Sequence, residues 1–315
     1  MKGVVLKSTG SWYKVRSFES GELFDCRIKG KFRVAGIKST NPIAGGDVVH
    51  FHLEDHQEEQ GVISRIQDRK NYIVRKSVNL SKQVHIIASN IDQALLITTL
   101  SKPITSTGFM DRFLSTAEAY SIPTIIVFNK IDLYRDEELT ELEYREAIYR
   151  AIGYKVIKTS ATEKIGLEKL KEELKDKITL LSGHSGVGKS TLINAVEPNL
   201  NLRTGMVSHS HRKGQHTTTF AEMHPLQMGG DVIDTPGIKG FGMVDMKKEE
   251  ISHFFPEIFA LSEHCRFHNC MHLNEPQCAV KRALKENKIA ATRYESYLNQ
   301  LNNYDEQTHY RTTSH

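Results

Sequence analysis

The 315-residue sequence predicts a multidomain chain with a small β-barrel, a central parallel α/β sheet and a helical tail built around a metal. Three observations carry this. Residues 1–75 alternate apolar and polar side chains in short bursts such as "GVVLKS", "WYKVRSF", "LFDCRIKG", "DVVHFHL" and "GVISRI". From Val84 to Val244, apolar runs ending in polar loops alternate with amphipathic segments. Residues 246–315 hold three of the four cysteines, between Cys265 and Cys278.

Period-two bursts punctuated by "STG", "ESG" and "NPIAGGD" predict an antiparallel barrel of about five strands. An OB-type barrel is expected, because that fold commonly takes oligonucleotides; an SH3-like barrel has the same pattern. Residues 1–40 carry nine Lys/Arg against three Asp/Glu, interleaved with Trp12, Tyr13, Phe18 and Phe24. Such a surface suits nucleic-acid backbones and unstacked bases, while a solvated exterior over an aromatic core fits equally well. Cys26 is expected to be a buried structural thiol.

The middle of the chain, residues 76–245, reads as strands "QALLITTL", "TIIVFNK", "KVIKTSA", "ITLLSG" and "DVIDTPG" with helices "GFMDRFLSTAEAY" and "GLEKLKEELKD" between them. This is the pattern of a parallel sheet, whose ligands bind beyond the strands' carboxyl ends. "GHSGVGKS" fits G-x-x-x-x-G-K-[ST]. Gly183, His184, Ser185, Gly186, Val187 and Gly188 would turn backbone N–H groups around phosphate oxygens. Lys189 would neutralise the β and γ phosphates, Ser190 would ligate Mg²⁺, and Thr191 continues into the helix.

"NKID" (Asn129, Lys130, Ile131, Asp132) selects guanine. That base presents two N–H donors to one carboxylate, and Asp132 accepts both; adenine has no such pair. Asn129 would contact the base edge and the Lys130 stem would cover the ring. Ser160 and Ala161, in "TSA", would offer backbone N–H groups to the guanine carbonyl. "DVIDTPG" supplies Asp234 for Mg²⁺ through water and Gly237 for the γ phosphate. Between the phosphate cradle and Asp234, "RKGQHTTTF" holds Thr217 and Thr218, of which Thr218 is the preferred ligand to close over Mg²⁺.

Every part of a GTPase is present in rotated order, guanine reader before phosphate loop. Domain termini lie close together, so joining them and opening the chain elsewhere preserves a fold. The domain is therefore a circularly permuted α/β P-loop GTPase. The rotation leads the Asp234 loop straight into the tail, and the barrel is expected at the sheet's other end.

"CRFHNCMHLNEPQC" places Cys265, Cys270, His272 and Cys278 as a Cys₃His set for one structural Zn²⁺, with His268 as an alternative fourth ligand. "AVKRALKENKI" and "ATRYESYLNQLNNY" predict two helices after it. Where many GTPases carry a glutamine after D-x-x-G to orient water, this chain has Ile238. His216 is the candidate substitute, as a neutral imidazole accepting a hydrogen bond from water.

The rotated motifs, the preceding barrel and the following Cys/His segment together resemble the bacterial RsgA (YjeQ) family of ribosome-small-subunit-dependent GTPases. The resemblance covers nearly the whole chain. It implies a GTP-hydrolysing factor for late 30S maturation, with GTP/GDP, the 30S subunit and its 16S rRNA as partners, and it assigns the water-orienting role to the histidine of G-x-H-T-T-T. A GTP-gated RNA-binding adaptor with little turnover is the alternative that Ile238 favours. No apolar run reaches a membrane span and "MKGVVLKSTGSWYKV" has no signal-peptide core, so a cytoplasmic location is expected; a monomer is expected separately.

Overall fold

A computed structural model describes residues 1–28, 42–54, 57–76, 84–202, 221–235 and 246–304, with backbone alone for 57–59, 75–76 and 84–85. Five strands form the amino-terminal barrel: β1 (Lys2–Ser8), β2 (Trp12–Ser17), β3 (Leu23–Ile28), β4 (Val48–Glu54) and β5 (Gln57–Ile66). They pair in the order β1-β2-β3-β5-β4 and close through β1–β4, with β3 and β5 parallel. Alternation fixes the inside: Val5, Tyr13, Val15, Phe24, Cys26, Val49, Phe51 and Ile63 make the barrel core. Of the four interleaved aromatics, Tyr13 and Phe24 are thus core, whereas Trp12 and Phe18 are exposed. Lys2 Nζ lies 5.9 Å from the centroid of the Phe18 ring. Burial and the neighbouring Asp25 push the Cys26 thiol up to about 12, as an inert structural cysteine requires.

A hairpin of β6 (Tyr72–Lys76) and β7 (Val84–Ser89) follows. Here Arg69 grips both carboxylate oxygens of buried Asp47 at 2.6 Å, and Ser89 Oγ donates to Asp47 Oδ1 at 2.6 Å. The pair joins the start of β4 to the chain leaving the barrel.

The central sheet contains β8 (Gln93–Thr98), β9 (Thr124–Phe128), β10 (Lys155–Lys158), β11 (Ile178–Ser182), β12 (Glu222–Pro225) and β13 (Asp231–Asp234). Its order is β10-β9-β8-β11-β13-β12, parallel except for β12. β8 is buried along its whole length, as expected of a central strand covered on both faces. Helices α1 (Thr107–Ala119), α2 (Asp136–Ile152), α3 (Leu167–Leu174) and α4 (Lys189–Val196) connect the strands. Residues of the sheet's two faces fall into separate apolar clusters, one with α1 and α2, the other with α3 and α4.

One expectation is corrected. The barrel does not sit at the end of the sheet remote from Asp234; β1 pairs with β12, next to β13, through Lys7 and Glu222. An antiparallel edge strand offers unpaired N–H and C=O groups, and β1 meets them at the single pair Lys7–Glu222. Arg16 Nη2 reinforces the junction with a 2.9 Å bond to Asp231 Oδ2.

The tail folds as α5 (Pro256–Ser262), α6 (Ala279–Lys285) and α7 (Ala291–Asn302) around Ile251, Phe255, Ile258, Val280, Tyr297 and Leu301. Of these, α7 packs on α1, where Ser115 Oγ donates to Gln300 Oε1 at 2.8 Å.

Candidate functional site

β8 and β11 lie side by side, and the chain runs from them to opposite flanks of the sheet: β9 and β10 on one, β13 on the other. That is the topological switch point at which open α/β sheets leave a crevice for a ligand. The loop after β11 lies there. Gly183, Gly186 and Gly188 have φ of 140°, 86° and 90°, a left-handed backbone that a side chain strains. A Cβ on Gly188 would meet Asn129 Nδ2 at 2.7 Å. Val187 is buried beneath the loop, Ser185 and Gly186 are exposed, and Lys189, Ser190 and Thr191 open α4. A helix amino terminus in this position favours phosphate through its free N–H groups and its dipole.

Two side chains bind the loop after β9 to this cradle. Asn129 Nδ2 donates to Val187 O at 2.9 Å, and Thr159 Oγ1 donates to Asn129 Oδ1 at 3.0 Å. Lys130 Nζ donates to Gly186 O at 2.7 Å and to Lys102 O at 2.9 Å. Segments more than fifty residues apart in the sequence are thereby one rigid surface. Lys130 itself is left-handed, which turns Ile131 and Asp132 into a 3-10 turn at the rim. Ser160 and Ala161 lie in the turn after β10 beside it, with Ile131 N donating to Thr159 O at 3.3 Å.

Lys189 Nζ donates to Gly183 O and His184 O at 2.8 and 3.0 Å. Burial lowers its pKa, against the pull of Asp234. Burial raises the pKa of Asp234, at the carboxyl end of β13, against the opposing pull of Lys189. The two groups stabilise each other's charged forms, and with Ser190 they provide a cation and two oxygen donors where a phosphate chain and its Mg²⁺ would lie. His216, Thr217, Thr218, Gly237 and Ile238 lie outside the described residues.

Phe109, Tyr134 and Thr162 gave no local signal in the sequence. The Phe109 ring stacks on His184 with centroids 3.8 Å apart, so α1 supports the phosphate loop from the side. Tyr134 OH donates to Asn129 O and accepts from Leu100 N, both at 2.9 Å, fastening the loop after β9 to the chain leaving β8. Thr162 touches Asp132.

In the tail, the donor atoms of Cys265, Cys270, His272 and Cys278 all lie within 4.8 Å of one another. His272 Nδ1 is 3.4 Å from Cys278 Sγ and 3.7 Å from Cys265 Sγ. Burial lowers the His272 pKa, which keeps the imidazole neutral as a ligand must be. Backbone N–H groups of Ala279 and Lys281 point at Cys265 Sγ and Cys278 Sγ, where thiolate charge would reside. The set fits one tetrahedral Zn²⁺ with no open position. His268 is exposed and outside the cluster, so His272 is the nitrogen donor.

The sheet order and the loops collected at its carboxyl edge define a P-loop GTPase domain, circularly permuted and carrying a barrel and a zinc-site tail. The family model for the RsgA GTPase matches residues 66–244, and that for the RsgA N-terminal domain matches residues 2–63. The chain belongs to the RsgA GTPase family. The small ribosomal subunit biogenesis GTPase RsgA of Flavobacterium psychrophilum is 58% identical over 99% of this chain and 95% of that protein. The protein of the same description from Bacteroides fragilis is 54% identical over 97% and 98%. Among solved structures, YjeQ from Thermotoga maritima superimposes with a TM-score of 0.78 at 36% identity, covering 96% of this chain and 97% of that one. YloQ, described as a circularly permuted GTPase, gives 0.73 at 31%, covering 96% and 93%.

Proposed function

We propose that this protein hydrolyses GTP to GDP and phosphate on the small ribosomal subunit during its late maturation, and that hydrolysis times its release. Near full-length identity to small ribosomal subunit biogenesis GTPases, together with the joined loops at Asn129 and Gly188, supports this best. We assign guanine selection to Asp132, with Asn129, Lys130, Ile131, Ser160 and Ala161 around the base. The cradle from Gly183 to Thr191 takes the phosphates, and Ser190, Thr218 and Asp234 hold Mg²⁺ on them. Gly237 approaches the γ phosphate and His216 orients water. We divide the chain into a barrel (1–75), the GTPase domain (76–245) and the zinc unit (246–315), with the β6–β7 hairpin as the connector across the first division.

Exposed Trp12, and exposed Phe18 with Lys2 over its ring, favour 16S rRNA as the barrel's partner. No helix of the described residues is long and apolar enough to cross a membrane; we place the protein in the cytoplasm as a monomer. Both appended units adjoin candidate switch segments. β12 follows Thr218 and holds the barrel, and the Asp234 strand leads toward the zinc unit. A nucleotide biases such an arrangement only by its differential affinity for the two states, which contact with the γ phosphate provides.

GTP turnover measured with 30S, 50S and 70S particles tests the proposal. Stimulation by 30S alone supports it. Turnover unmoved by any particle would leave the gated adaptor that Ile238 suggests.

A further inference from the structure

Asp132, exposed at the rim, has a side-chain partner on the loop after β10. Thr162 Oγ1 lies 3.3 Å from Asp132 Oδ2 and 3.0 Å from Ser160 Oγ, and Glu163 N donates to Ser160 Oγ at 3.1 Å. Proton bookkeeping fixes the direction of this chain. An ionised carboxylate only accepts, so the single Thr162 hydroxyl proton goes to Asp132. Thr162 Oγ1 must then accept from the Ser160 hydroxyl, whose oxygen in turn accepts the Glu163 N–H. Three donors point one way, toward the carboxylate, and each bond polarises the next.

The backbone holds the relay in place. Ser160 and Ile165 exchange both N–H···O bonds, at 3.1 and 3.0 Å. Lys164 and Gly166 turn left-handed, with φ of 55° and 71°. A Cβ on Gly166 would collide with Lys158 O. This closed loop presents Thr162 to the Asp132 turn, which is itself tied to Thr159 through Ile131 N.

We infer that Thr162 is a positioning residue for guanine recognition, holding the Asp132 carboxylate in the orientation that accepts the two N–H groups of the base. The inference rests on the proposed guanine site. A carboxylate already restrained about its terminal torsion loses less freedom when the base arrives.

The test compares GDP with inosine diphosphate, which lacks the exocyclic amine, on full-length wild type, Thr162→Val and Thr162→Ser. Thr162→Val is expected to weaken GDP binding about fivefold, the equivalent of one ordinary hydrogen bond, and to narrow the GDP over inosine diphosphate ratio. KM for GTP rises with kcat unchanged, and Thr162→Ser, which keeps the hydroxyl, restores both. An unaltered ratio in Thr162→Val, or a serine variant as weak as the valine one, overturns the role of Thr162 alone. Wild type that does not prefer GDP overturns the guanine site and this inference with it.

Discussion

Arg293 Nη1 donates to Asp111 Oδ1 at 2.7 Å, with side chains only 1% and 0% exposed. Glu257 takes Nε and Nη2 at 2.7 and 3.1 Å, Tyr149 OH donates to the same Asp111 oxygen at 2.8 Å, and the guanidinium carbon lies 4.7 Å from the centre of the Phe255 ring. One buried ionic cluster therefore fastens α7 and α5 to α1 and α2. Removing one partner leaves an uncompensated charge in the interior, at a cost of about 3–5 kcal/mol. Arg293→Met should lower the melting temperature and speed hydrogen exchange in α7. Unchanged exchange there would show that the cluster is no clamp.

Asp132→Asn exchanges an acceptor for a donor opposite the guanine N–H groups. GDP affinity should fall by about ten- to a hundredfold, as expected for hydrogen bonds to a charged group. Xanthosine diphosphate, which has a carbonyl in place of the amine, should gain. Competition binding with the two nucleotides reads both effects, and an unshifted preference would remove Asp132 from the base site.

Gly188→Ala puts a methyl 2.7 Å from Asn129 Nδ2 at a backbone φ of 90°. Strain of about 1–2 kcal/mol and a displaced Asn129 should together weaken GDP by at least about tenfold while the fold persists. Calorimetric titration checks this; wild-type affinity would mean that the two loops are not interdependent.

Purified protein should contain about one equivalent of zinc, and Cys270→Ala should lose it. Chelation should loosen residues 246–304 before it affects GDP binding, because Cys265 and Cys278 pack against the apolar cluster of the tail. Metal content equal to wild type in that variant would falsify the ligand set.

His216→Ala should retain GTP affinity and lose most subunit-stimulated hydrolysis, on the order of a hundredfold, the usual contribution of one positioned acid–base group. Single-turnover rates with 30S particles decide it. Equal rates would assign the water to another group.

The contiguous motifs were legible because their chemistry is local. A phosphate cradle needs glycines and a lysine within eight residues, and four zinc donors fit between Cys265 and Cys278. The strands of the parallel sheet announced themselves by unbroken apolar runs. Contacts made by tertiary packing were not legible. Nothing near Asp111 indicates Arg293, 182 positions on, and nothing in the polar–apolar alternation of β1 tells whether its outer edge meets solvent or β12. The helix α2, rich in Glu and Arg, lacks a broad apolar stripe; it buries Leu142, Arg145 and Tyr149 and drew no prediction. Thr162 escaped for a similar reason: its partner on Asp132 is thirty residues away.

The seam between β1 and β12 carries a liability for anyone who dissects this molecule. A catalytic fragment begun at residue 66, where the GTPase family match starts, would bare the rim of β12 and leave Asp231 without Arg16. Such a fragment should self-associate through strand addition, and its stickiness in solution would reflect a missing cover and not a failure of the nucleotide fold.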